Sequence, residues 1–227
     1  MISIKNLSKS YGKKAVFKNL TLEFSANRVI GLLGENGIGK TTLLKLIADI
    51  LKPDKGEVSI AGETVSRHTR AGVSYMLSAN NFYGFMKVRD ALNFYRDFYE
   101  DFDYERAVTL CHEFKLHPKA RVKTLSKGSA ERLCILLCLC RCVPLYLLDE
   151  PVAGLDPKFK HGAIKAMLAN TCEEQTVIIS SHLLRDLETI FDEIIILKKN
   201  DEVVTANTDE IRESGKSVEQ FYLEVSE

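Results

Sequence analysis

The chain has 227 residues, 45% of them hydrophobic and 27% charged, enough for a sizeable core built as one large domain or as a core with an inserted subdomain. Lysine plus arginine (31) equals aspartate plus glutamate (31), so no global charge favours nucleic acid or an acidic membrane surface, and binding is to be sought in local sites. The sequence contains neither a basic-then-apolar leader nor an apolar run near the roughly 20 residues of a bilayer span, which predicts a soluble chain with reduced thiols that reaches any membrane through a partner.

Ile2 and Ile4, then Leu20, Leu22 and Phe24, alternate with polar residues and predict half-exposed antiparallel strands. Val29-Ile30-Gly31-Leu32-Leu33 is short, apolar and bounded by turn residues, which predicts a buried strand. Leu43, Leu44, Ile47, Ile50 and Leu51 then recur at helical spacing, with Lys52-Pro53 expected to stop the helix. Residues 56–60 with Ala61-Gly62 read as a further strand and turn. From 88 to 142 the spacing is mainly helical, with Ala91, Leu92, Tyr95 and Phe98 on one stripe, which predicts a helical insertion between two halves of an α/β core. At the end of that insertion Cys134, Cys138 and Cys142 fall at i, i+4 and i+8 in "RLCILLCLCRCV", a spacing open to a thiolate metal site or to core packing; without a paired C-x-x-C, core packing is the expectation. Residues 145–148 and 176–179 return as buried strands around a helix at 157–171, and 194–197 with 203–204 flank "KKNDE" as a terminal hairpin. Asn207 with Glu210, and Ser217 with Gln220, have capping-box spacing and start two short helices.

The run "GLLGENGIGKTTLLKLIADIL" carries the first chemistry. Glycine admits positive φ and brings backbone N–H groups close to a ligand, and Gly34, Gly37 and Gly39 fall within six positions between the predicted strand and helix. Gly34, Glu35, Asn36, Gly37, Ile38, Gly39, Lys40 and Thr41, followed by Thr42, make the phosphate-binding G-x-x-x-x-G-K-[ST] loop in the strand-to-helix context it needs. Its N–H groups and the helix start form an anion site, Lys40 reaches β- and γ-phosphates, and the Thr41 hydroxyl suits Mg²⁺. The plain alternative is a glycine-rich turn that precedes a lysine. In "LYLLDEP", Asp149 and Glu150 end a buried strand, where open α/β sheets bind ligands; Asp149 suits Mg²⁺ and Glu150 suits a base for an attacking water. In "LSKGSAERL", Ser126 and Gly128 stand where an apolar helix begins, as an ordinary N-cap or as groups aimed at an anion.

Leu125-Ser126-Lys127-Gly128-Ser129 resembles the LSGGQ signature of ATP-binding cassette (ABC) ATPases, and the order of motifs matches that family along nearly the whole chain. The resemblance implies a P-loop NTPase (RecA-like) α/β core with an antiparallel β subdomain and an inserted helical subdomain. The segments would be 1–87 for the β subdomain and P-loop core, 88–143 for the signature helices, 144–206 for the second half of the core, and 207–227 for short terminal helices. It further implies that Tyr11 in "KSYGKKAV" stacks on adenine, that Asp149 and Glu150 are the Walker B acid and catalytic glutamate, that Asp156 in Gly154-Leu155-Asp156 belongs to the D-loop, and that His182 in "VIISSH" senses the γ-phosphate. Two positions depart from the family. Ser78 stands where a glutamine usually contacts Mg²⁺ and the attacking water, so a water or Asn80 is expected to take over that contact, and Lys127 and Ser129 replace signature residues.

In this family each ATP lies between the P-loop of one subunit and the signature of another, which implies a homodimer formed on ATP with Mg²⁺ that drives a separate integral membrane permease. The chain would then be cytoplasmic, held at the inner face of the membrane through that permease without inserting, and no nucleic acid is expected. Its length and the tail "SVEQFYLEV" resemble the small ATPase subunits of ABC-2-type exporters. Soluble ABC ATPases of nucleic acid or ribosomes are the alternative, but those carry a long coiled-coil insertion or two cassettes. A P-loop kinase would lack the signature. Phe82, Tyr83, Phe85 and Met86 around Gly84 fit neither strand nor helix periodicity; they either fold back under the helices or line an exposed groove, and by resemblance this joint is where a permease helix docks.

Overall fold

The computed structural model describes residues 1–76, 82–168 and 174–226. Strands β1 (Ile2–Tyr11) and β2 (Lys14–Phe24) pair antiparallel, and with β4 (Lys55–Ile60) and β5 (Glu63–Thr64) they form a four-stranded sheet in the order β2-β1-β4-β5. The alternation read in the sequence survives: Ile2, Ile4, Leu7, Leu20, Leu22 and Phe24 are buried on one face.

A second sheet runs β10-β9-β3-β8-β7-β6. Its strands are β3 (Val29–Gly34), β6 (Val73–Tyr75), β7 (Leu145–Asp149), β8 (Thr176–Ser180), β9 (Glu193–Leu197) and β10 (Val203–Asn207). Only β10 pairs antiparallel; β3, β8 and β9 are buried along their full length, as parallel strands covered on both faces must be. The order brings the C-terminal ends of β3, β8 and β7 side by side, so Gly34, Ser180 and Asp149 meet at one edge.

Helix α1 (Lys40–Ile47) ends a turn earlier than the predicted stop at Lys52-Pro53. Asp49 takes a left-handed φ of 55°, and the N–H groups of Ile50 and Leu51 both return to Lys45 O at 2.9 and 3.1 Å, so the chain closes on itself before the proline can act. Between β6 and β7 the chain forms α2 (Val88–Phe98), α3 (Tyr104–Glu113) and α4 (Lys127–Leu139), the helical stretch the spacing predicts. Helices α5 (Pro157–Leu168), α6 (Leu184–Leu187), α7 (Thr208–Glu213) and α8 (Val218–Ser226) complete the chain. Ser217 and Gln220 exchange the two bonds of a capping box at α8, at 2.9 and 3.1 Å; at α7 Asn207 instead accepts from Asp209 N, not through Glu210.

The cysteine face is shorter than the i+8 spacing suggests. Cys134 and Cys138 lie inside α4 and Cys140 caps it, all three buried in the core, and burial pushes each thiol up to about 12. Cys142 is exposed beyond the helix, because Arg141 leaves helical geometry to pair with Asp101 at 2.5 Å and to lie 3.9 Å over the Tyr99 ring, while Cys142 N donates to Asp101 O at 2.8 Å.

Candidate functional site

The turn from β3 into α1 carries glycines at positions where a side chain would be strained or crowded. Gly34 holds φ 143° and a Cβ there would stand 2.6 Å from the Leu197 carbonyl oxygen; Gly39 holds φ 121° and its Cβ would stand 2.5 Å from Phe17 Cζ. Helix α1 starts on Gly39 with no side-chain cap and no acidic residue in its first turn, so its leading N–H groups are left for an anion. Lys40, only 7% exposed, folds back over the loop and donates to Gly34 O at 2.7 Å and Glu35 O at 3.3 Å. Burial lowers the Lys40 pKa, while the charges of Glu150 and Asp149 pull it the other way. Thr41 and Thr42 follow on the first turn of α1, Thr41 exposed.

Asp149 ends β7 directly opposite Ser180 on β8. The Ser180 hydroxyl donates to Asp149 Oδ1 at 2.5 Å and accepts from Glu150 N at 3.1 Å. Glu150 itself takes a left-handed φ of 49°, uncommon for a non-glycine residue and a mark of a site over-determined by its surroundings. Its carboxylate Oε2 lies 2.8 Å from His182 Nδ1 and accepts from His182 N at 3.4 Å, with the histidine side chain 47% exposed. The Thr41 hydroxyl and the Asp149 carboxylate are hard oxygen donors of the kind Mg²⁺ takes, alongside substrate phosphates and waters.

Ser126 and Gly128 occupy a different place. Ser126 caps α4, accepting from Ser129 N at 3.2 Å, so the ordinary N-cap reading holds for its hydroxyl in this chain by itself. Gly128 packs on the segment at Gly154: a Cβ there would be 3.2 Å from Gly154 O, and a Cβ on Gly154 would overlap the Glu131 carboxylate at 1.9 Å. Arg132 ties the same region together, donating to Phe114 O at 2.6 Å and to Ser129 Oγ at 2.8 Å while its guanidinium lies 3.7 Å over the Phe159 ring. Asp156 is exposed and accepts from Phe159 N at 3.4 Å at the start of α5. Among the described residues no hydrogen bond or ion pair joins Ser126 or Gly128 to the glycine loop at 34–42.

The other sequence candidates divide. Tyr11 closes β1 opposite Lys14 and is 51% exposed. Ser78 lies outside the described residues. Of the aromatic cluster, Phe82 packs against the core and Met86 is buried, while Tyr83 and Phe85 are 70% and 74% exposed and stack on each other with centroids 5.5 Å apart. The sequence reading passed over Ser180, for which the only signal was a pair of serines ending an apolar strand before His182, and over Lys199, which reaches from the β9–β10 turn to pair with Glu35 at 3.1 Å.

Residues 17–153 match the family model described as ABC transporter. The chain is 31% identical to the ABC transporter ATP-binding protein YtrB of Bacillus subtilis (strain 168), an alignment covering 98% of this chain and 77% of the relative. It is 32% identical to the Nod factor export ATP-binding protein I of Burkholderia orbicola (strain AU 1054), over 87% of this chain and 68% of that protein. A solved ATP-binding subunit of an ABC transporter superposes with a TM-score of 0.86 at 26% identity, covering 99% of this chain and 98% of its own. A dimeric ATP-binding cassette in a post-hydrolysis state, bound to ADP and Pi, shares the fold with a TM-score of 0.78 at 22% identity, over 91% and 98% of the two chains. On its sequence and its fold together, this chain belongs to the ABC transporter family, as an ATP-binding subunit.

Proposed function

We propose that two copies of this chain close around ATP and Mg²⁺, hydrolyse the nucleotide, and by closing and reopening drive a separate membrane permease. The observation that carries this reading is the separation of the site into two groups. Lys40, Asp149, Glu150 and His182 belong to the ends of the strands at one edge of the sheet, while Gly128 packs with Gly154 and neither Ser126 nor Gly128 has a bond to that edge among the described residues. A signature that serves the phosphates must then come from a second copy, related by a two-fold axis that uses both sites twice.

In this reading Tyr11 stacks on the adenine, the N–H groups of Gly34 to Thr42 cradle the phosphates and Lys40 leaves its carbonyl partners for the β- and γ-phosphates. Thr41 and Asp149 would hold Mg²⁺, which when bound would neutralise charge on the phosphate oxygens. Glu150 orients the attacking water and accepts its proton, and His182 holds the Glu150 carboxylate while its other face meets the γ-phosphate. Ser126 and Gly128 of the second copy supply a hydroxyl and free N–H groups from the opposite side, with Asp156 in the adjoining D-loop. ATP drives the change only through its greater affinity for the closed pair.

No helix among the described residues is long and apolar enough to cross a membrane. The Tyr83–Phe85 stack is the exposed part of the joint and the proposed docking point. Ile50 and Phe98, both exposed, line a hollow of about 430 Å³ together with Arg67 and Arg70. A relative named for Nod factor export supports outward transport. The test is co-purification from membranes with identification of the bound polytopic protein. Tyr83→Ala with Phe85→Ala is expected to leave ATP binding intact and lower recovery of the complex; full recovery would place docking elsewhere, and recovery of no polytopic protein with the parent chain would contradict the transporter reading.

A further inference from the structure

The strand β8 reads Thr-Val-Ile-Ile-Ser and is buried throughout, yet it ends on a hydroxyl that is fully inaccessible to solvent. A buried hydroxyl costs stability unless its donor and its acceptor are both used. Here both are. The Ser180 O–H donates to Asp149 Oδ1 and its oxygen accepts the Glu150 N–H, which is shared with the Ser180 carbonyl, also at 3.1 Å. The first bond engages one carboxylate oxygen and leaves Oδ2 without a protein partner among the described residues. The second pair fixes the main chain of a residue whose left-handed φ needs such support.

The position in the sheet adds to this. Ser180 is opposite Asp149 on one side and opposite Leu32, in the strand that leads into the glycine loop, on the other. Two residues on, His182 holds the Glu150 side chain from the same segment, so the end of β8 grips Glu150 by its main chain and by its carboxylate.

We propose that Ser180 is a positioning residue for both acids: its hydroxyl sets the rotamer in which Asp149 offers Oδ2 to the metal, and it anchors the turn that aims Glu150. This rests on the reading of Asp149 as a Mg²⁺ ligand. The experiment uses the full chain carrying Glu150→Gln to stop turnover, and follows ATP binding by equilibrium titration with Mg²⁺ and in its absence. Ser180→Ala is expected to raise the Mg²⁺ concentration for half-saturation by roughly 10–150-fold, the worth of one charge-assisted hydrogen bond, and to leave metal-free ATP affinity within about 2-fold. Ser180→Thr, which keeps the hydroxyl, is expected to restore the parent value. On an Asp149→Ala background Ser180→Ala is expected to add nothing, and this decides the matter if the extra methyl of threonine does not fit the buried site. An unchanged Mg²⁺ requirement in a folded Ser180→Ala protein, an equal loss of metal-free affinity, or an additive effect on Asp149→Ala overturns the proposal. If Asp149→Ala itself leaves the Mg²⁺ requirement untouched, the metal reading of Asp149 fails first and the role of Ser180 falls with it.

Discussion

Replacing Gly39 by alanine tests whether the phosphate loop is set by backbone geometry and close packing together. At φ 121° an L residue is strained, and the added Cβ would lie 2.5 Å from Phe17 Cζ and 2.7 Å from Val16 Cγ1. Phe17 is 3% exposed, so its ring has no open space to turn into. Gly37 supplies the control: its φ is 80°, and nothing lies within 4 Å of a Cβ placed there. Backbone strain costs each alanine variant about 1–3 kcal/mol. Overpacking against Phe17 and Val16 adds about 1–3 kcal/mol for Gly39→Ala only. For a chain of this size, about 2–4 °C of melting temperature goes with each kcal/mol, so Gly39→Ala should melt roughly 2–12 °C below Gly37→Ala. Thermal denaturation followed by circular dichroism on both variants and the parent measures this directly. Equal midpoints, or a lower one for Gly37→Ala, would refute the packing argument.

Lys40→Ala is expected to lose tight ATP binding while Glu150→Gln binds normally and does not turn over; isothermal titration beside a phosphate-release assay separates the two, and normal binding by both variants would remove Lys40 from the phosphate role. Tyr11→Ala should weaken ATP and GTP alike by roughly 1 kcal/mol, because stacking reads a π-face and not a base edge; a loss confined to one nucleotide argues for a hydrogen-bonding pocket. Alkylation mapped by mass spectrometry should label exposed Cys142 well before Cys134, Cys138 and Cys140 in the native protein. Those three buried thiols have folded pKa values raised from 9.0 to about 12, so the stability they contribute is complete below pH 9 and is lost as pH climbs toward 12. The urea midpoint should therefore fall across that window, and fall less steeply once the three are changed to alanine.

What the sequence made legible was what is local. The glycine loop is spelled by contiguous residues, and its flanking strand and helix announce themselves by their own periodicity, so β3, the loop and the start of α1 were readable in advance. Asp149 and Glu150 were readable because a buried strand has to end somewhere polar. The misses depend on residues far apart in the chain. Cys142 leaves the helical face because Arg141 finds Asp101, 40 residues earlier. Ser180 meets Asp149 across 31 residues, and only the strand order puts them opposite each other. The aromatic cluster could not be divided from spacing, since whether Phe82 or Phe85 turns inward is decided by the neighbouring core and not by the local run. Helix α1 stops early for a subtler reason: a left-handed Asp49 ends it as a glycine would, and nothing in the apolar spacing marks that residue.

The most direct measurement of the central claim is the mass of the Glu150→Gln protein in solution, by size-exclusion chromatography with light scattering, with and without ATP and Mg²⁺. The account predicts a monomer of 25.6 kDa without nucleotide and a species of twice that mass at saturating ATP, because Ser126 and Gly128 reach the phosphates only from a second copy. A chain that binds ATP fully and stays at the monomer mass would contradict it.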